Sequence, residues 1–215
     1  MYKYILFDLD GTITDPGIGI TNSVAYALRK YCIEVKERSE LYKFIGPPLH
    51  WSFREYYGFT EEEAITAVQY YREYYADKGL FENYVYDGIP EMLETLRSHG
   101  LKCIMATSKP EQFAIRILEH FGLAKAFDFV AGATMDTSRT DKALVIKYAL
   151  ESNGIQDLSE VVMVGDREHD VLGAAKNGLK TIGVTYGYGS REELTNAGAF
   201  MLADSPQEVT EICVK

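Results

Sequence analysis

The chain has 215 residues, 47% of them hydrophobic, and a formal net charge of −10 from 22 Lys and Arg against 32 Asp and Glu. This is the composition of a globular protein, long enough for one large domain with a smaller one beside it. Because no basic run offsets the acidic balance, we expect no nucleic acid polymer as a partner. The three cysteines are scattered and form no CxxC pair, which is typical of a reducing compartment.

The first predicted element is an apolar run at residues 4–7 that ends at Asp8. It is too short for a signal peptide, and no stretch of the sequence approaches the roughly 20 apolar residues of a membrane-spanning helix. We therefore expect a soluble, cytoplasmic protein without a membrane partner.

Residues 16–85 interrupt the strand pattern, because their apolar positions follow helical spacing. Apolar residues recur every three or four positions around Val24 and around Val68, and Thr60 with Glu63 is typical of a helix start. Pro and Gly break the periodicity at both ends of the stretch. The pattern predicts four consecutive helices that form a separate domain, with residues 1–15 and 86–215 as the other domain.

A rigid Gly-Pro-Pro turn lies inside this helical stretch at residues 46–48. Loops of this kind carry specificity elements in many enzymes, and His50 and Arg54 follow the turn directly. We expect these two side chains to contact the substrate. Half of the 16 tyrosines lie between Tyr56 and Tyr86. We interpret them as the packed faces of the helices, and the alternative is an aromatic platform for a base or ring of the substrate.

From residue 86 onward, short apolar runs alternate with amphipathic helical segments. The alternation predicts an α/β fold with a doubly wound parallel sheet. The predicted strands after the first one are residues 103–106, 129–131, 161–164, 181–184 and 200–202. Ligands of such sheets bind beyond the carboxyl ends of the strands, so the residues at those ends are the candidate functional residues.

Two predicted strand ends carry pairs of carboxylates. Asp8 and Asp10 follow the first strand and, two positions apart on extended chain, point to the same side. Asp166 and Asp170 follow the strand at residues 161–164. Carboxylates gathered at one edge repel one another unless a hard cation binds, and Mg²⁺ prefers oxygen ligands. The sequence therefore predicts a magnesium site formed by these four aspartates.

Hydroxyl and basic groups lie at two further helix starts. Thr107 and Ser108 follow a predicted strand directly before a helix, where hydroxyl groups can donate to a phosphoryl oxygen. Lys142 opens a later helix, where the helix dipole opposes a cation. We expect that some other interaction requires the cation at this position.

Four motifs follow one another along the chain: Asp8-x-Asp10-Gly11-Thr12, Thr107, Lys142 and Gly165-Asp166-x-x-x-Asp170. In this order they resemble the haloacid dehalogenase superfamily of phosphatases. More closely, the strings DGTITD, FIGPPL, ATSKP and GDREHD resemble its phosphoglycolate phosphatase-like branch, which includes 5′-nucleotidases. The resemblance covers almost the whole chain. It implies a Rossmann-like core and, at residues 16–85, a separate type 1 cap domain that selects the substrate.

The resemblance also implies a role for each motif residue. Asp8 is the expected nucleophile, which takes the phosphoryl group as an aspartyl phosphate, and Asp10 is the expected general acid and base. Thr107 and Lys142 are expected to bind and neutralise the transferring phosphoryl group. The further residues expected to bind the substrate are Gly11, Thr12, Ser108 and Lys109. The expected ligands of Mg²⁺ are Asp8, the backbone carbonyl of Asp10, Asp166 and, in support, Asp170.

Two positions depart from the family pattern. Ser108 stands where many relatives have Asn, and Ala143 stands where many have Pro. These departures leave Lys109 and Arg139 as alternatives to Lys142 for the cation that neutralises the phosphate.

The expected function is Mg²⁺-dependent hydrolysis of a small phosphomonoester, such as phosphoglycolate or a nucleoside 5′-monophosphate. One alternative is a phosphomutase of the β-phosphoglucomutase type, which has the same site. The other is a receiver-like phospho-acceptor module without enzymatic activity. A receiver would carry its acceptor at the end of the third strand, but residues 131–134 contain no carboxylate. The oligomeric state is not predicted.

Overall fold

The structure, a computed structural model, describes residues 2–136 and 138–215. The chain divides into two compact units. We call the chain up to Thr14 together with Val85–Lys215 the core unit, and Asp15–Tyr84 the helical unit. The predicted boundaries, after residues 15 and 85, differ from these by one residue at each crossing.

A six-stranded parallel sheet forms the centre of the core unit, in the order β5-β4-β1-β6-β7-β8. Two further short strands, β2 and β3, pair with each other. The strands are β1 (Tyr4–Phe7), β2 (Thr14–Asp15), β3 (Tyr84–Val85), β4 (Lys102–Pro110), β5 (Phe129–Ala133), β6 (Val161–Gly165), β7 (Lys180–Val184) and β8 (Met201–Ala203). The predicted parallel α/β fold is therefore confirmed. β4 is longer than predicted, because it continues past Ala106 with an irregular register.

The central position of β1 in the sheet explains why its sequence is an uninterrupted apolar run. Ile5, Leu6 and Phe7 are completely buried, because β1 is flanked by β4 and β6. A central parallel strand is covered on both faces, and its sequence therefore does not alternate between apolar and polar residues. The run ends at Asp8, where the chain leaves the sheet.

The described α-helices are α1 (Gly17–Lys30), α2 (Leu49–Tyr57), α3 (Glu61–Tyr74), α4 (Ile89–Ser98), α5 (Glu111–His120), α6 (Lys142–Ser152), α7 (Glu168–Lys176), α8 (Arg191–Ala197) and α9 (Pro206–Val214). Helices α1–α3 belong to the helical unit and α4–α9 to the core unit. In the part of the chain that the structure describes, no helix combines the length and the apolarity that crossing a membrane requires.

For the helical unit the sequence pattern predicted four consecutive helices, and the structure describes three α-helices there. A 3₁₀ helix at Arg38–Phe44 takes the remaining place, and a π-helical turn at Tyr75–Gly79 continues α3. The 3₁₀ helix ends at Phe44, and Pro47 and Pro48 follow closely without the N–H groups with which the helix could continue. Tyr71 and Tyr75 are buried with ring centroids 5.2 Å apart, as expected for tyrosines on a packed helix face.

Candidate active site

The register of the sheet aligns the carboxyl ends of three neighbouring strands. Phe7 of β1 lies opposite Met105 of β4 and opposite Val164 of β6. The next residue, Asp8, donates its backbone N–H to the carbonyl of Val164 at 2.9 Å. The loops that follow β1, β4 and β6 therefore begin side by side at one edge of the sheet.

Three of the predicted aspartates meet at this edge. Asp8, Asp166 and Asp170 each place a carboxylate oxygen within 4.8 Å of the other two. All three residues are buried, and Asp166 has no exposed surface. The structure thus brings together side chains from two distant parts of the sequence, and the three could hold a metal ion.

Lys142, the first residue of α6, lies between two of these carboxylates. Its Nζ is 2.7 Å from Oδ1 of Asp8 and 2.8 Å from Oδ1 of Asp170, and it donates to the carbonyl of Ala106 at 3.0 Å. Burial disfavours the charged ammonium, but Asp170 and Asp8 outweigh it and raise the pKa of Lys142. These anionic partners explain how a cation is kept at a helix start.

The electrostatics of Asp166 differ from those of its neighbours. Burial raises the pKa of its carboxyl well above the usual range, and the negative charges of Asp170 and Asp8 raise it further. Burial also raises the pKa of Asp170, but there Lys142 acts in the opposite direction. An ionised Asp166 is therefore costly unless a further cation is bound nearby.

Asp10 forms a separate ion pair. Its Oδ2 lies 2.7 Å from Nζ of Lys109, and both side chains are largely buried. Its Oδ1 is buried and has no hydrogen-bond partner among the described residues. Burial raises the pKa of the Asp10 carboxyl, against the effect of Lys109. One oxygen of Asp10 is thus fixed by a lysine, and the other is an acceptor to which no described residue donates.

The charges at the edge of the sheet fit a divalent cation. When ionised, Asp8, Asp166 and Asp170 contribute three negative charges, and Lys142, which contacts two of them, contributes one positive charge. One doubly charged ion would balance the difference. Since all the available ligand atoms are oxygens, a hard ion such as Mg²⁺ suits them. The carboxylate of Asp10 lies outside the three-aspartate cluster, so its expected metal contact through the backbone carbonyl stays a prediction.

Arg139, the second alternative to Lys142, has other partners. Its Nη2 is 3.1 Å from Oε2 of Glu111, its Nε donates to the carbonyl of Gly132 at 2.9 Å, and its guanidinium lies 3.6 Å from the ring centroid of Tyr148. The contacts that the structure describes therefore place Lys142 on Asp8, Lys109 on Asp10 and Arg139 on Glu111.

Thr107 and Ser108 lie within β4. Thr107 is buried, and its hydroxyl accepts the backbone N–H of Lys109 at 3.2 Å. The residue that precedes α5 is Pro110, which makes no side-chain capping bond. Ser108 is half-buried. Their expected contacts with a phosphoryl group stay predictions.

Gly11 and Thr12 lie against Asp166. The hydroxyl of Thr12 donates to Oδ1 of Asp166 at 3.4 Å. Gly11 has a φ of +85°, and a Cβ at this position would lie 2.1 Å from Oδ2 of Asp166. Only glycine accepts both this backbone conformation and this close approach. The structure thus gives both residues a contact with Asp166, whereas their predicted contact with the substrate stays untested.

Sequence reasoning missed one segment that contacts this site, residues 185–189. The backbone N–H of Tyr188 donates to Oδ2 of Asp166 at 2.8 Å, and the hydroxyl of Tyr186 donates to the carbonyl of Thr12 at 3.1 Å. The sequence of the segment, Thr-Tyr-Gly-Tyr-Gly, follows directly after a strand. Two glycines at the end of a strand were the available signal, since such positions mark a close approach of the backbone to another group.

The two predicted substrate contacts of the helical unit share one acidic partner. Nε2 of His50 lies 3.0 Å from Oε1 of Glu61, and Nη1 of Arg54 lies 2.8 Å from Oε2 of the same residue. Arg54 also lines a cavity of about 320 Å³ in this unit. The lining residues are Trp51, Arg54, Glu55, Gly58 and Phe59. Contact of His50 and Arg54 with the substrate stays a prediction.

Known proteins are similar to this chain over most of its length. The family model described as haloacid dehalogenase-like hydrolase matches residues 5–184. A 5′-nucleotidase of Pseudomonas aeruginosa is 48% identical over 90% of this chain and 87% of that protein. The tyrosine-protein kinase PtkA of Mycobacterium tuberculosis is 43% identical over 87% of this chain and 63% of its own length. The crystal structure of a predicted phosphatase from Clostridium acetobutylicum has a TM-score of 0.95 and 52% identity, and the match covers 99% of this chain and 98% of that one.

Proposed function

Since this chain belongs to the haloacid dehalogenase-like hydrolase family and is a phosphatase, we propose that it hydrolyses a small phosphomonoester, with Mg²⁺, through an aspartyl phosphate on Asp8. The observation that carries this proposal is the ion pair between Lys142 and the buried Asp8, beside two further buried carboxylates. A carboxylate held by a fixed cation at the end of a strand is a suitable nucleophile for phosphoryl transfer.

In the first step, a carboxylate oxygen of Asp8 attacks phosphorus and the ester bond to the leaving oxygen breaks. Asp10 gives its proton to that oxygen, which leaves as an alcohol. The raised pKa of Asp10 favours the protonated acid that this step needs. Lys142, whose Nζ lies 2.7 Å from Oδ1 of Asp8, would neutralise the charge of the phosphoryl oxygens.

In the second step, a water molecule attacks the phosphorus of the aspartyl phosphate and Asp10 takes the proton of that water. The bond between phosphorus and the Asp8 oxygen breaks, which releases inorganic phosphate and restores the carboxylate. Oδ1 of Asp10 supports this role, because it is a buried acceptor without a hydrogen-bond donor among the described residues.

Asp8, Asp166 and, in support, Asp170 would hold the metal ion, and the excess of buried negative charge supports this assignment. The bound ion would supply positive charge to the phosphoryl oxygens beyond what lysine provides. The backbone carbonyl of Asp10 is the fourth protein ligand that we propose.

For the substrate, we propose a nucleoside 5′-monophosphate, with phosphoglycolate as the second candidate. The similarity to a 5′-nucleotidase supports the first candidate. His50 and Arg54 are the side chains of the helical unit that we propose for substrate binding. A phosphomutase with this site would return the phosphoryl group to a sugar, and it would release little free phosphate.

The experiment that tests the proposal measures phosphate release from nucleoside 5′-monophosphates, phosphoglycolate, hexose 1-phosphate, phosphotyrosine and p-nitrophenyl phosphate. Each compound is tested with Mg²⁺ and with EDTA, for the wild type and Asp8→Asn, and the exposed Asp87→Asn is the matched control. We expect Mg²⁺-dependent release that Asp8→Asn reduces by at least about 1,000-fold and that Asp87→Asn leaves unchanged. Equal activity of Asp8→Asn and wild type would remove Asp8 as the nucleophile. Conversion of hexose 1-phosphate to the 6-phosphate would favour the mutase.

A further inference from the structure

The segment between β7 and α8 lies in direct contact with Asp166. The backbone N–H of Tyr188 donates to Oδ2 of this aspartate at 2.8 Å. A Cβ on Gly187 would lie 2.2 Å from the carbonyl oxygen of Gly11 and 2.6 Å from Oδ2 of Asp166, and a Cβ on Gly189 would lie 1.8 Å from the carbonyl oxygen of Asp166. The backbone therefore approaches the aspartate so closely that no side chain fits at either glycine.

Tyr186 connects the same segment to the loop that follows β1. Its hydroxyl donates to the carbonyl of Thr12 at 3.1 Å, and its ring packs edge-on against Tyr86 with centroids 5.2 Å apart. The hydroxyl of Thr12 in turn donates to Oδ1 of Asp166. Three hydrogen bonds thus link the two segments and Asp166: Tyr188 to Asp166, Tyr186 to Thr12, and Thr12 to Asp166.

The helix that follows the segment holds the backbone just after Asp166. Glu193, in the first turn of α8, accepts the backbone N–H of Glu168 at 2.9 Å and Nε of Arg167 at 2.8 Å. The carboxylate of Asp166 and the two residues after it are therefore all contacted from residues 186–193.

We infer that residues 186–189 are a positioning element that fixes the carboxylate of Asp166 for the divalent cation, with Tyr186 and Gly187 as its critical residues. The inference rests on the proposed function, because it concerns the metal site of that reaction. Both oxygens of Asp166 accept hydrogen bonds, so the carboxylate cannot rotate freely, and outer contacts of this kind orient metal ligands. Tyr186 and Gly187 touch no reacting atom, and they act through Thr12, Gly11 and Asp166.

The test is isothermal titration calorimetry of the full chain with MgCl₂, without substrate. Gly187→Ala pushes a methyl group into Asp166, and we expect it to weaken Mg²⁺ binding by roughly 10–100-fold. Tyr186→Phe keeps the ring and removes the hydrogen bond to Thr12, and we expect a loss of about 10-fold, at the lower end of that range. In turnover assays, the Mg²⁺ concentration for half-maximal activity rises in both variants, and KM for the ester at saturating Mg²⁺ stays unchanged.

Two matched controls separate positioning from general destabilisation. Gly122 has a φ of +70° and open space where a Cβ would lie, so Gly122→Ala strains the backbone without touching the site. Tyr148→Phe removes a tyrosine hydroxyl from α6. We expect wild-type Mg²⁺ affinity in both controls, even where the melting temperature falls.

Wild-type Mg²⁺ affinity in Tyr186→Phe and Gly187→Ala would overturn the inference and leave the proposed function intact. An equal loss of affinity in the two controls would also overturn it. If Gly187→Ala does not fold, Tyr186→Phe decides alone, because phenylalanine fills the same space. A wild-type protein that binds no Mg²⁺ would overturn the metal part of the proposed function and this inference with it. The wild-type titration therefore distinguishes the two failures.

Discussion

The core unit and the helical unit each contain ion pairs with N–O distances of 2.7–2.8 Å, but the surroundings of these pairs differ. Lys142 and Asp8 are buried at the edge of the sheet. Arg54 and Glu61, on the helical unit, keep 52% and 58% of their side chains exposed. Equal distances therefore do not mean equal interaction strengths, because water screens the second pair and not the first.

This difference in burial predicts different losses of stability when one partner of the pair is removed. Removing one partner of a buried pair leaves an uncompensated charge, which typically costs about 3–5 kcal/mol, whereas an exposed pair contributes about 0–1 kcal/mol. The buried charges of Lys142 and Asp8 at the edge of the sheet are thus tied to the stability of the fold. Those of the exposed Arg54–Glu61 pair can change at little cost in stability, which is compatible with the substrate contact proposed for Arg54.

The largest expected effect is the loss of the buried cation. Lys142→Met leaves Asp8 and Asp170 without the ammonium group that contacts both. We expect the free energy of unfolding, measured by urea denaturation in EDTA, to fall by about 3–5 kcal/mol. Lys147→Met in the same helix is the matched control, because Lys147 forms an exposed pair with Glu151 at 3.8 Å. A control variant as unstable as Lys142→Met would contradict the difference between the two kinds of pair.

The next effect concerns the metal ion itself. At a Mg²⁺ concentration about 100 times its dissociation constant, binding stabilises the fold by about 2.7 kcal/mol, or roughly 5–10 °C in melting temperature. We expect this rise for the wild type and its absence for Asp166→Asn. In EDTA, Asp166→Asn should be at least as stable as the wild type, because it removes a buried charge that has no lysine partner among the contacts described. Differential scanning calorimetry measures both quantities, and an unchanged Mg²⁺ response in this variant would remove Asp166 from the metal site.

The sequence predicted the parallel sheet and the convergence of Asp8, Asp166 and Asp170, because strand ends in such a sheet must share one edge. It did not show which lysine contacts which aspartate. Spacing along the chain does not reveal how far a flexible side chain reaches, so the sequence does not show that Lys109 contacts Asp10 and Lys142 contacts Asp8. The role of residues 186–189 was hidden for a related reason. A glycine required for close approach is distinguishable from a glycine in a turn only when its neighbours in space are known.

A smaller effect is expected for the second buried lysine. Lys109→Met removes the partner that fixes Oδ2 of Asp10. We expect kcat for an alkyl phosphate to fall by about 10–100-fold, because the general acid loses its position. For p-nitrophenyl phosphate, whose leaving group needs little protonation, the fall should be smaller.

The two substrates distinguish positioning of Asp10 from binding of the phosphate. If Lys109 instead binds the phosphate, KM rises equally for both esters and kcat changes little. Lys125→Met, which alters an exposed lysine of the same unit, is the control and should leave both constants unchanged.

The smallest expected effect belongs to the helical unit. Arg54→Ala removes an exposed guanidinium whose described partner is Glu61, so we expect no measurable change in the free energy of unfolding. If Arg54 binds the substrate in the ground state and the transition state alike, KM rises by about 3–10-fold and kcat is unchanged. Steady-state kinetics with the best ester of the panel measures both constants, and the exposed Arg38→Ala in the same unit is the control. An unchanged KM would remove Arg54 from the substrate contacts. A fall in kcat without a rise in KM would mean that this exposed residue acts on the chemical step, and the separation of tasks between the two units would then be wrong.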